Sequence, residues 1–160
     1  MADDNSILND EAKVRLLYKK LLDSWNNCNA KDYAGLFTVD GNIIGFDGSQ
    51  ANGRQEIYSH LSGIFNHHKT ASYISIVKEV RSLDTIVWAL RAVAGMVPPE
   101  KSDINPAVNA IQTLVAVKTQ DDFQIAIFQN TPASFHGRPE LGEQLTKELQ
   151  NALQNNKMQI

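Results

Sequence analysis

From Tyr73 to Asn130 the hydrophobic residues recur at every second position rather than every third or fourth, over roughly sixty residues broken by a single loop. Such alternation is the mark of extended strands. Four strands are predicted, Tyr73 to Arg81, Thr85 to Val97, Ala110 to Thr119 and Phe123 to Asn130. Ser82-Leu83-Asp84 and Gln120-Asp121-Asp122 are short enough to be hairpin turns, which makes the strands they join antiparallel. Pro98 to Pro106 is a long loop, a kind of segment that often carries function. A sheet of this size must bury a face against something, so the rest of the chain has to supply a second layer.

Helical periodicity supplies it. Met1 to Leu8 carries little pattern and is read as a loose arm; Asn9 or Asp10 then caps a helix whose stripe is Val14, Leu17, Tyr18, Leu21, Trp25 and Cys28. Ala30 to Asp32 interrupts it, and Tyr33, Ala34, Leu36 and Phe37 fit a second, short helix. Asp40-Gly41 reads as a turn, Ile43, Ile44 and Phe46 as a short strand, and Asp47-Gly48-Ser49 as another turn. Gly53 precedes a third helix with Ile57, Leu61, Ile64 and Phe65 inward, ending near His67-His68. A last helix starts at Pro139, runs to about residue 156, and buries Leu141, Leu145, Leu149 and Leu153. The class is α+β: an antiparallel sheet with three N-terminal helices and a further C-terminal one, in one domain over residues 1–160.

The second long strand is apolar on both faces. Ile86, Trp88, Leu90, Ala92, Ala94 and Met96 lie on one side, and Val87, Ala89, Val93 and Val97 on the other. Helices packed together cover one side only, so a sheet-to-sheet homodimer is expected to cover the other. With 15 basic and 18 acidic residues the chain offers no electrostatic footprint for nucleic acid. No apolar run reaches the ~18 residues of a membrane span, and the acidic N-terminus is not a secretory signal. Cys28, the single cysteine, suits a reducing compartment, so a cytoplasmic protein is expected.

Candidate chemistry is sparse. Arg91 is the one charge inside the apolar run from Ile86 to Val97; it is either a clamp for a ligand anion or an ion pair at the sheet surface or dimer interface. His60, His67 and His68 do not fall at metal-ligand spacing, so no metal is expected, and His60 reads as a core or pocket histidine. Asp47 is a candidate base, which would require burial, but it sits beside glycine in a turn signal. Cys28 reads as a small inward hydrophobe. Trp25, Phe46, Trp88 and Tyr58 are large enough to wall a cavity or to fill a core. Gln129 shares the parity of Ile125 and Ile127, so in a regular strand it faces the helices while Asn130 serves the other side. His136 follows in an irregular segment, placed either to close over a cavity mouth or to lie free on the surface. No nucleotide, nicotinamide or hydrolase fingerprint occurs, and no cofactor is expected.

The order helix, short helix, strand, helix, long antiparallel strands resembles the nuclear-transport-factor-2-like superfamily, a cone of curved sheet around helices. Trp25 to Asp32, Leu36-Phe37, Asp40-Gly41 and Gly53-Arg54 are similar to its SnoaL-like branch. Gly95-Met96-Val97-Pro98-Pro99, Gln129-Asn130-Thr131-Pro132 and Phe135-His136-Gly137-Arg138-Pro139 resemble the SgcJ/EcaC-type family. The resemblance implies a hydrophobic cavity for an aromatic or polyketide-like molecule and, with chemistry, cofactor-independent isomerisation, cyclisation or dehydration. Trp25, Phe46 and Trp88 would wall it, Gln129 and His136 would orient the ligand, and Arg91 or Asp47 would handle charge. The isomerase tyrosine position falls on Ser24 and its aspartate base position on Phe46, so that constellation is absent; a one-residue bulge would bring the neighbouring Asp47 inward. A non-catalytic dimeric association module is the alternative.

Overall fold

The computed structural model describes residues 3–155 and residue 160. Helix α1 spans Asp4–Asn26, because Asp3 caps it: its carboxylate accepts from the Ser6 amide at 2.7 Å. Much of the expected loose arm is therefore helix, while Met1 and Ala2 lie outside the described residues. The apolar stripe did not reveal this start, since Ile7 and Leu8 face solvent. Helix α2 is Ala30–Gly35, with Asn29 accepting from the Asp32 amide at 2.9 Å, so the residues read as an interruption form its first turn. Helix α3, Arg54–His67, follows Gly53, whose φ of 94° favours glycine.

Strands β1 (Phe37–Ile44), β2 (Gln50–Asn52), β3 (Ser72–Ser82), β4 (Val87–Val97), β5 (Ala110–Thr119) and β6 (Asp122–Pro132) form one sheet in the order β2-β1-β6-β5-β4-β3. The β3-β4 and β5-β6 hairpins are antiparallel as expected, and β1 runs parallel to β6. The sheet is curved and unclosed. Phe37 begins a strand rather than ending a helix, and Asp40-Gly41 lies inside β1, at a register shift between Phe37 and Asn42. Glycine fits closely there, as a Cβ would stand 3.0 Å from the Ile125 carbonyl oxygen and 3.1 Å from the Phe37 ring, tighter than an ordinary contact. Phe46 sits in the β1-β2 turn, not in a strand.

Helices α1 to α3 cover the concave face. Val14, Tyr18, Leu21, Leu22, Ile57 and Leu61 pack there on Phe37, Leu90, Leu114, Ile125 and Phe128. Helix α4, Pro139–Gln154, lies on the opposite face, where Leu145, Leu149 and Ala152 pack with Ile74, Ile104 and, at the margin, Ile76, Val93 and Val97. The helices thus do not all share one side. What α4 leaves open is a lane across β4, β5 and β6. It holds half-buried Val87, Ala89, Val115 and Val117 and the exposed Ile111 and Ile127, 41% and 40% accessible.

One irregularity decides which side chains point inward. Val115 pairs with Ile127 but Ala116 pairs with Ile125, so Ala126 is a bulge. Past it the parity of β6 inverts: Phe128 and Asn130 join Ile125 inside, and Ile127 and Gln129 turn outward.

Candidate functional site

Between the concave face, the end of α1, α3 and the β1-β2 turn lies a cavity of about 390 Å³. Its walls are mainly apolar, with Trp25, Tyr33, Ile43, Phe46, Leu61, Met96 and Phe128 among them. Trp25, on the last turn of α1, is fixed by its Nε1, which donates to the Ala71 carbonyl at 2.9 Å, and by edge packing on Phe65 with centroids 5.3 Å apart. Asp47, Ser49 and His60 also border the cavity, as do Tyr73 and Asn130.

Asp47 is exposed, and its Oδ1 accepts from the Ser49 amide at 2.9 Å. That backbone bond, then the Ser49 side chain, holds its carboxyl below the usual aspartate range, with nearby His60 adding to the effect. Burial does not raise it as a general base at neutral pH would require. Asp47 is a fixed negative charge at the rim, which His60 also borders.

Tyr73 and Asn130 belong to a buried polar chain. The Asn130 amide nitrogen donates to the Tyr73 hydroxyl at 3.2 Å, and the Gln112 amide nitrogen donates to Asn130 Oδ1 at 3.3 Å. The Tyr18 hydroxyl donates to Gln112 Oε1 and lies 2.6 Å from Ser75 Oγ, which in turn donates to the Val93 carbonyl at 3.0 Å. Ser75 and Gln112 are fully buried. Burial pushes the Tyr73 phenol up to about 12 and raises Tyr18 and Tyr33 as well. All three stay neutral near pH 7, so Tyr73 meets a ligand as a hydroxyl and not as a phenolate.

The other sequence candidates fall elsewhere. Gln129, expected to face the helices, is exposed on the outer face because of the Ala126 bulge. Trp88 is on the inner face but at the hairpin end, in edge contact with Phe123 at 6.4 Å, and is not a cavity wall. Arg91 lies on the outer face, its Nε and Nη2 each 3.3 Å from Glu79, and this ion pair replaces the ligand-clamp reading. His136 is exposed in the β6-α4 loop, away from the cavity lining. Cys28 and Tyr58 are exposed rather than inward. Tyr73 and Asn130 escaped the sequence reading. A signal for them existed, since Ser75 and Gln112 interrupt core-facing parity, and two polar breaks on the strands either side of β4 mark a buried network.

A larger groove, about 870 Å³, lies between α1 and the β5-β6 hairpin. It is broad and open, bordered by Lys13, Lys20, Asp121 and Asp122, and lacks the convergence of buried polar groups found inside the cone.

No protein-family model matches the chain, and no curated protein matches it. Solved structures do. A domain of unknown function with a cystatin-like fold from Nostoc punctiforme is 21% identical with a TM-score of 0.74, over 92% of this chain and 93% of that one. A ketosteroid isomerase-like protein from Erwinia carotovora atroseptica is 16% identical with a TM-score of 0.63, over 78% and 97%. A nuclear-transport-factor-2-like protein with a cystatin-like fold from Novosphingobium aromaticivorans is 13% identical with a TM-score of 0.66, over 84% and 89%. At these identities the likeness establishes the fold: cystatin-like, of the nuclear-transport-factor-2-like kind.

Proposed function

We propose that residues 1–160 form one SnoaL-like domain of the SgcJ/EcaC type that binds a small hydrophobic molecule, aromatic or polyketide-like, within the cone. The observation that carries this reading is a cavity of about 390 Å³ with mostly apolar walls and two polar side chains, Tyr73 and Asn130, converging inside it. If the domain catalyses, the residues at hand suit proton transfer in isomerisation, cyclisation or dehydration without a cofactor. His60 would exchange the proton, and Asp47, held ionised at the same rim, would stabilise the imidazolium. A cytoplasmic setting follows from the sequence features above. The test is a thermal-shift screen with uncharged aromatic and polyketide fragments on the wild type and on Trp25→Ala. Binding in the cone raises the wild-type Tm and loses most of the shift in the variant; a flat response across the panel refutes it.

The open lane on the outer face favours a second, compatible reading, a homodimer packed sheet to sheet, as in a non-catalytic association module. Ile111 and Ile127 are its exposed apolar side chains. Sedimentation velocity on the wild type and Ile127→Asp decides: a wild-type dimer that dissociates in the variant supports it, and a wild-type monomer excludes it.

A further inference from the structure

We infer that Tyr73 and Asn130 recognise a hydrogen-bond donor, the hydroxyl of an uncharged alcohol or phenol, in preference to the matching ketone or carboxylate. This rests on the ligand-binding reading of the cavity proposed above.

The argument is a proton count along the buried chain. Five contacts run in series, from Val93 O to Ser75, Tyr18, Gln112, Asn130 and finally Tyr73. Each hydroxyl in the series has one proton to give. The Val93 carbonyl only accepts, so that contact is a hydrogen bond only when Ser75 points its proton there. Ser75 must then accept from Tyr18, Tyr18 from the amide nitrogen of Gln112, the Gln112 carbonyl from the Asn130 amide, and the Asn130 carbonyl from Tyr73. Turning the two amides by about 180° from the direction described above reaches this state with every heavy-atom separation unchanged. All five contacts are then hydrogen bonds, and Tyr73 offers a lone pair to the cavity. In the opposite direction Ser75 gives its proton to Tyr18, the Val93 contact carries none, and four bonds remain, with the Tyr73 proton directed into the cavity.

An alcohol therefore adds a bond to a complete chain. A ketone must reverse the chain, and it recovers only the bond that reversal removed. The difference is one net hydrogen bond, a preference of roughly 2- to 12-fold in Kd. Charge acts in the same sense against carboxylates. Among the described residues no lysine or arginine lines the cavity, ionised Asp47 stands at its rim, and Arg91 is on the other face of the sheet.

Ser75 is the positioning residue. It is fully buried and does not line the cavity, yet its hydroxyl sets the direction of the chain. The experiment measures Kd by calorimetry for tetralin, α-tetralol, α-tetralone and α-naphthoate on the full chain and on Ser75→Ala and Tyr73→Phe. In the wild type tetralol binds more tightly than tetralone by the factor above, and naphthoate binds most weakly. Ser75→Ala leaves the Tyr18 proton with Gln112 as its only acceptor, so the chain reverses and Tyr73 donates to alcohol and ketone alike: tetralone gains affinity relative to tetralin and the preference for tetralol disappears. Tyr73→Phe abolishes the preference. Equal affinities of tetralol and tetralone in the wild type beside measurable tetralin binding overturn the inference alone, as does an unchanged preference in Ser75→Ala. Failure of tetralin and every other probe to bind overturns the cavity reading and this inference with it.

Discussion

Tyr18→Phe removes a single oxygen from the middle of the interior and tests whether the polar chain contributes to stability. The hydroxyl meets Ser75 at 2.6 Å and also bonds Gln112. Its loss is asymmetric. Ser75 keeps the Val93 carbonyl at 3.0 Å, but one amide atom of Gln112, a fully buried residue, is left without a partner. An orphaned buried polar atom costs about 1–3 kcal/mol, and the phenyl ring fills the same space, so no cavity contribution arises. For a domain of this size that corresponds to a Tm lowered by roughly 2–12 °C. Differential scanning calorimetry measures it, with Gln112→Met introduced singly and together with Tyr18→Phe. The double variant is expected to lose less than the sum of the two singles, because it removes the atom that the first change orphans. An unchanged Tm in Tyr18→Phe, or strict additivity in the double variant, refutes the reasoning.

Three further outcomes follow. The buried phenols Tyr18, Tyr33 and Tyr73 have folded-state pKa values raised by burial, so unfolded chains release protons from about pH 10 while the folded protein retains them. Stability is fully present below about pH 10 and falls as pH rises beyond it, which denaturant midpoints at stepped alkaline pH will follow, with absorbance at 295 nm reporting phenolate release on unfolding. Trp25→Phe is expected to destabilise more than Trp88→Phe, since Trp25 Nε1 donates to Ala71 O at 2.9 Å whereas the buried Trp88 Nε1 has no partner among the described residues; urea midpoints of the two variants compare them directly. Gly41→Ala places a methyl 3.0 Å from the Ile125 carbonyl oxygen, a backbone atom unable to swing aside, and is expected to cost about 1–3 kcal/mol in the same assay.

The long strands were readable because their alternation is a property of composition and spacing alone. β5 falls where the pattern put it, and β3, β4 and β6 differ by no more than two residues at either end. Features set by single hydrogen bonds or by insertions were not readable. The start of α1 depends on the Asp3 cap and not on an apolar stripe, and β2 is three residues held on an edge by β1. Arg91 drew attention as a charge among apolar neighbours, but its partner Glu79 is 12 residues away on the adjoining strand, and only the pairing of β3 with β4 brings them together. Gln129 was assigned the interior by parity counted through Ala126, a count valid only in an unbroken strand.

Beyond residue 126, chain length rather than residue identity determines what the interior of this protein contains. Were Ala126 taken into a regular pleat instead of bulged out, β6 would carry Gln129 and Thr131 inward and send Phe128 and Asn130 to the outer surface, whereas a variant lacking that alanine would keep the present facing without the bulge. Substitutions adjust such a site one contact at a time. Gain or loss of a codon that no bulge absorbs exchanges its donors and acceptors at once, together with the oily lane on the opposite face, so gaps within this strand are where related chains can part in ligand and partner together.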